Sequence, residues 1–159
     1  MAEQLPLIGH ENDTFEMIAF RLHGQEFCVA TTTIREIRGW SPSTPLPHSP
    51  PEVLGVMNLR GSVIPIVDLS RKLGMPATEP TERSAIVVAD VHSTMLGLLV
   101  DQVSDILTVK GSQIQPVPEI STSSDRGFSD GIITHENGMI CFLNLGRMFR
   151  QQELDDIAA

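Results

Sequence analysis

The residues in this chain that could do chemistry are few and scattered. There are five histidines, His10, His23, His48, His92 and His135, and two cysteines, Cys28 and Cys141. No pair of histidines brackets a glutamate as a zinc protease requires, and none stands near a cysteine at zinc-ligand spacing. Turn or loop positions are expected for all five. The cysteines lie far apart in apolar surroundings, which reads as buried reduced thiols rather than a disulfide. The sequence contains no phosphate-cradling glycine loop, no dinucleotide fingerprint and no nucleophile elbow. Asp101 and Asp105 lack the ligand spacing of a calcium loop, and Asp68 reads as a helix cap rather than a base. Catalysis has no visible constellation, so no enzyme, no metal and no cofactor are expected. A small β-barrel enzyme would need a polar site assembled from distant segments.

Composition narrows the remaining classes. The 159 residues carry 20 acidic and 11 basic side chains, a net charge of −9. That sign disfavours nucleic acid and anionic membrane surfaces and suits protein partners. Aromatics are 4% of the chain, with no tyrosine, too few for a base-stacking platform. Trp40 reads first as a lid over the core and second as an interface anchor. The longest apolar run, Met95 to Val100, is too short to span a bilayer, and Glu3, Pro6, Glu11 and Asp13 break any signal-peptide pattern. A cytoplasmic protein without direct membrane insertion is expected.

The elements that must position any site are mostly strands. Residues 1–13 read as a flexible leader. Phe15–Leu22 and Glu26–Ala30 flank His23-Gly24-Gln25 as a hairpin. Thr31–Thr33 offer caps for a single helical turn over Ile34–Ile37, with Ile34 and Ile37 on one face. Five prolines stiffen 41–51 into an extended loop. Val53–Leu59 and Ser62–Leu69 turn at Arg60-Gly61, and Pro65 marks its strand as an edge or a bulge. Asp68 or Ser70 caps a short helix that Gly74 and Pro76 end. Ala85–Ala89 and Met95–Val103 follow, the latter broken at Gly97, then Ile106–Val109 and a short edge piece at Ile114–Val117. Residues 118–130 read as a mobile loop. Gly131–His135 and Met139–Leu145 form a last hairpin, and 145–154 a terminal helix, before an acidic tail at 155–159. The pattern of a hairpin followed by further strands starts at Phe15 and again at Ala85. It predicts an all-β protein of two barrel-like lobes within 14–154.

The stretch from Gly55 through Arg60-Gly61 to Pro65-Ile66-Val67-Asp68-Leu69 closely resembles the signature of the CheW family. Ile34–Gly39 resembles that family's first helical turn, Gly97–Leu107 its central second-lobe strand pair, and Asn144-Leu145 its ending. The resemblance runs over about residues 15–154. It implies two five-stranded SH3-like barrel lobes packed around a shared hydrophobic core. It also implies a chemotaxis adaptor in cytoplasmic receptor arrays, binding chemoreceptor tips and the regulatory domain of the histidine kinase CheA. A scaffold of another chemosensory pathway, for twitching motility or a non-motile output, is the alternative. The implied receptor groove has Ile34, Ile37, Val56, Val100 and Val103 as its floor and Glu36 and Arg60 as orienting charges. Gly55, Asn58 and Gly61 complete the motif. Taken singly, the valines and isoleucines fit a core and the glycines fit turns.

Overall fold

The computed structural model describes residues 13–117, 128–135, 138–150 and 154. The leader, most of the 118–130 loop and the acidic tail lie outside these residues. The described residues run through eleven strands. They are β1 (Thr14–Leu22), β2 (Gln25–Ala30), β3 (Ile34–Gly39), β4 (Val53–Leu59), β5 (Ser62–Asp68), β6 (Ala85–Val91), β7 (Thr94–Val100), β8 (Gln102–Lys110), β9 (Ile114–Gln115), β10 (Ser129–His135) and β11 (Gly138–Leu143). Among the described residues the one-turn helices α1 (Leu69–Lys72) and α2 (Leu145–Met148) follow β5 and β11.

Two sheets result, β8-β1-β2-β11-β10-β9 and β3-β6-β7-β5-β4. The first makes one lobe and the second the other, and apart from the two-residue β9 each has five strands. The pairing senses match junction by junction: antiparallel, antiparallel, parallel, antiparallel. The bulges match too. One separates Ile34 from Glu36, and its twin falls where Val103 gives way to Asp105 opposite β1. Another separates Val53 from Gly55, and its twin separates Ser129 from Gly131. The recurring hairpin pattern from Phe15 and from Ala85, which carries no clear internal repeat in the sequence, is a repeat in the structure, but the repeats are not the lobes. Each lobe takes a hairpin from one repeat and three strands from the other. β7 and β8, expected as partners in one lobe, belong to different sheets and are separated only by Asp101.

Strand alternation builds three apolar clusters. Successive side chains face opposite ways, so β6 sends Ala85, Val87, Ala89 and Val91 into one cluster and Ile86 and Val88 into another. The first cluster is shared between lobes: Phe20, Leu22 and Phe27 meet Val87, Leu98, Leu69 and Phe149 there. Met17, Cys28, Leu107, Ile133 and Phe142 fill one barrel, and Ile64, Ile66, Ile86 and Leu99 the other.

Five local expectations change. Ile34–Ile37 is strand, not helix; only Thr31–Thr33 makes a 3-10 turn. The β-branched residues and the pairing with β6 outweigh the threonine caps. Pro65 lies inside its sheet, because the Val56 amide and carbonyl turn outward to Thr44 (2.8 and 2.9 Å) and ask nothing of Pro65. β7 runs unbroken through Gly97, where a Cβ would stand 2.6 Å from Ile66 Cδ1. The expected 145–154 helix is interrupted, with α2 ending at Met148, Phe149 extended, and helical backbone again at Leu154, whose N–H donates to the Arg150 carbonyl (3.1 Å); Ser129 and Asp130 belong to β10 rather than to the preceding loop.

Candidate functional site

β3 and β4 stand at opposite ends of their sheet order. Even so, Arg60, in the turn after β4, places Nη1 2.7 Å from Oε1 of Glu36 on β3. The sheet therefore curls until its first and last strands face one another, and the ion pair spans the seam of the closed barrel. The turn itself has a left-handed pair, Arg60 (φ 52°) and Gly61 (φ 89°), the geometry that matches the twist of flanking strands. Asn58 Oδ1 accepts from the Gly61 N–H at 3.0 Å and fixes the tip.

A second guanidinium joins the pair. Arg38 Nη1 lies 3.3 Å from the other Glu36 oxygen, Oε2. Glu36 and Arg38 pair with Val88 and Ile86, so both lie on the barrel-interior face at its open mouth. The Arg60 hydrogen bond, with Arg38 adding to it, holds the Glu36 carboxyl below the ordinary carboxylate range. Arg60 is well exposed and Glu36 largely covered, with side-chain exposures of 74% and 22%. The pair is thus no fully buried salt bridge, and its stabilising effect is that of a screened surface contact.

Around the seam the expected residues divide. Ile34 and Ile37 do share a face, through the bulge rather than through a helix: both pair with β6 residues, Ala89 and Val87, that point to the shared core. Ile34 packs on that core, and Ile37 is 41% exposed. Val56 is half-buried and Asn58 exposed on the outer side of β4. Val63, which the sequence reading passed over, is 65% exposed and pairs with Asn58. Its place three residues after Arg60 and one before the buried Ile64 was the available signal. Gly55 is buried against the Thr44 carbonyl and shapes the strand rather than offering a surface. Val100 is fully buried in the shared core and lines no groove. Val103 is half-buried against that same core, opposite Phe20 on the other lobe's sheet. Trp40 is 40% exposed, so it does not close over the core.

Clefts also lie elsewhere. One of about 720 Å³ lies where the lobes join, lined by His23, Pro76, Glu79, Glu82 and Asp101. Another of about 570 Å³ runs over Phe27, Ile132 and Met139. Neither is lined by Arg60 or Glu36. Among the described residues no three histidine, cysteine, aspartate or glutamate side chains gather as metal ligands, and no helix is long and apolar enough to cross a membrane. Cys28 and Cys141 are free thiols on adjacent strands. Cys28 pairs with Phe142 and Cys141 with Phe27, so the two sulfurs leave opposite faces of the sheet.

Comparison with known proteins agrees with this architecture. The family model described as "CheW-like domain" matches residues 16–153. The chain is 55% identical over 138 residues to "Chemotaxis protein CheW" of Rhizobium meliloti (strain 1021), covering 87% of this chain and 89% of that protein. It is 32% identical over 126 residues to "Chemotaxis protein CheW" of Bacillus subtilis (strain 168), covering 79% and 80%. The crystal structure of scaffolding protein TtCheW from Thermoanaerobacter tengcongensis superposes with a TM-score of 0.80 at 25% identity, over 89% of this chain and 96% of that one. With its two intertwined β-lobes and its matched motif, the chain belongs to the CheW family of chemotaxis scaffold proteins.

Proposed function

We propose that this scaffold couples the cytoplasmic tips of chemoreceptors to the regulatory domain of CheA, holding both in a signalling array and catalysing nothing itself. The observation that carries this reading is the Arg60–Glu36 contact across the barrel seam, flanked by uncovered Ile37 and Val63. A helical tip is recognised by an apolar strip that supplies contact and by a few charges that set its register. Ile37, Val63 and the half-buried Val56 supply the strip. Arg60, anchored by Glu36, supplies the charge. Ile34, Gly55, Asn58 and Gly61 support these residues from behind or beside them, and Val100 and Val103 do so only through the shared core.

The test is co-sedimentation of the purified chain with a receptor cytoplasmic fragment and, separately, with the CheA regulatory domain. Stoichiometric capture of both is expected. Capture of neither overturns the proposal.

A further inference from the structure

Arg38 breaks the internal repeat. It pairs with Ile86, and its counterpart 69 positions later, Leu107, pairs with Met17. Ile86 and Met17 are both fully buried and face the interiors of their own barrels. Leu107 joins them as core, with 7% of its surface exposed. One barrel thus seals its mouth with a leucine where the other carries a guanidinium. The Arg38 side chain is 39% exposed, but its Nε is covered at the barrel interior without an acceptor, and an unsatisfied buried donor costs stability. When one of two equivalent positions departs from the rules of core building, function is the usual reason.

The departure puts two cations on one carboxylate. Arg60 holds Oε1 of Glu36, and Arg38 reaches Oε2. One negative and two positive charges leave the seam at +1 on a chain whose net charge is −9. We propose that Arg38 is a positioning residue: it is the resident counter-ion of Glu36, which frees Arg60 to exchange onto a carboxylate of the bound partner. If Arg60 were the only cation at the seam, drawing it outward would strand a largely covered Glu36, and that loss would count against binding. With Arg38 in place the exchange trades one ion pair for another. Arg60 suits the exchange, being exposed, carried on a tight turn, and able to grip a carboxylate with two N–H groups at once. The partner surface is therefore an acidic side chain beside apolar residues that meet Ile37 and Val63. This inference rests on the receptor-coupling reading above.

The experiment measures affinity of the full chain for a receptor cytoplasmic fragment by calorimetry, with a thermal melt of each variant. Arg38→Leu installs the residue of the twin lobe. It is expected to melt at or above the wild type while binding about two- to fivefold more weakly, the range an exposed ion pair commands. Adding Glu36→Gln to Arg38→Leu removes what holds Arg60 back, and affinity should return towards the wild-type value. Such a rescue is not available to a residue that touches the partner itself or only supports the fold. Arg38→Gln, with the same second change, serves if the leucine variant does not fold. Unchanged affinity in the single variant, or a double variant as weak as the single, overturns the proposal. If the wild-type chain does not bind the fragment, the coupling reading falls and this inference with it; binding without rescue removes this inference alone.

Discussion

Gly55→Ala isolates what the motif glycine does. A Cβ at this position would stand 2.2 Å from the Thr44 carbonyl oxygen and 2.6 Å from its carbon, on a backbone at φ 151°. Both obstacles are main chain, so no side chain can swing aside. The proline loop must retreat, and the reciprocal hydrogen bonds between Thr44 and Val56 go with it. Two such bonds contribute about 0.5–1.5 kcal/mol each, and overpacking adds about 1–3 kcal/mol. A loss of about 2–6 kcal/mol follows, a large share of the ~5–15 kcal/mol that holds a domain together. At ~2–4 °C per kcal/mol for a chain of this size, the melting temperature falls by roughly 10 °C. Gly131→Ala should behave alike, since its Cβ would meet the Gln115 carbonyl oxygen at 2.7 Å. Gly61→Ala has open space around it and only a left-handed φ to strain, so about 1 kcal/mol is expected. Urea unfolding of the three variants side by side is the assay. A Gly55→Ala chain within about 0.5 kcal/mol of wild type, or a Gly61→Ala chain equally damaged, would refute the reasoning. So would a folded Gly55→Ala chain that loses only receptor binding.

Three further outcomes are expected. Arg60→Asp should abolish capture of the receptor fragment while leaving circular dichroism unchanged, because Arg60 lies on an exposed turn; equal affinities would count against the site. Burial, then Cys141 and Glu26, pushes the Cys28 thiol up to about 12 from its ordinary 9.0. The unfolded chain therefore releases this proton first, so the stability Cys28 contributes is complete below about pH 9 and is lost as pH climbs towards 12, at up to about 1.4 kcal/mol per pH unit. Cys28→Ala should flatten that alkaline slope in urea titrations, and identical slopes would contradict it. Asp68→Ala should cost more than Asn144→Ala, about 2–4 against about 1–2 kcal/mol. The buried Asp68 accepts from both Ser70 N–H (3.1 Å) and Thr78 N–H (2.9 Å), whereas the half-exposed Asn144 accepts from Arg147 N–H (3.0 Å) and donates to Asp130 Oδ2 (2.9 Å), a carboxylate that still has Arg147 when the amide is lost. Unfolding free energies in the reverse order would overturn the comparison.

Local chemistry made the strands legible. Turn residues marked the hairpins at His23-Gly24 and Arg60-Gly61, and Asp68 announced its cap. The hairpin pattern recurring from Phe15 and Ala85 was legible, but neither the repeat it belongs to nor the exchange of hairpins was. No residue in β1 or β2 says that the next neighbour of β2 is β11, since parallel pairing far along the chain leaves no local trace. Ile34–Ile37 misled because two isoleucines three apart fit a helical face, and a bulge produces the same outcome in a strand. Val100 and Val56 share a residue type and an expected place on the groove floor, yet one lies under both sheets and the other at a rim; only the assembled layers separate them. The Arg60–Glu36 contact followed from the family pattern. Arg38 was overlooked because its oddity exists only by comparison with Leu107.

The exchanged hairpins also set an order of assembly during translation. Strands β3 to β7 are contiguous, so residues 34–100 can close their sheet as they leave the ribosome. The β1–β2 hairpin is made earlier still, but its partners β8, β10 and β11 are synthesised last. Until then its apolar faces, Met17, Phe20 and Phe27 among them, have only part of their cover. Long-range closure of this kind is slow and leaves strand edges open to other chains. Crowded synthesis should therefore favour early capture of that first hairpin by a holding chaperone.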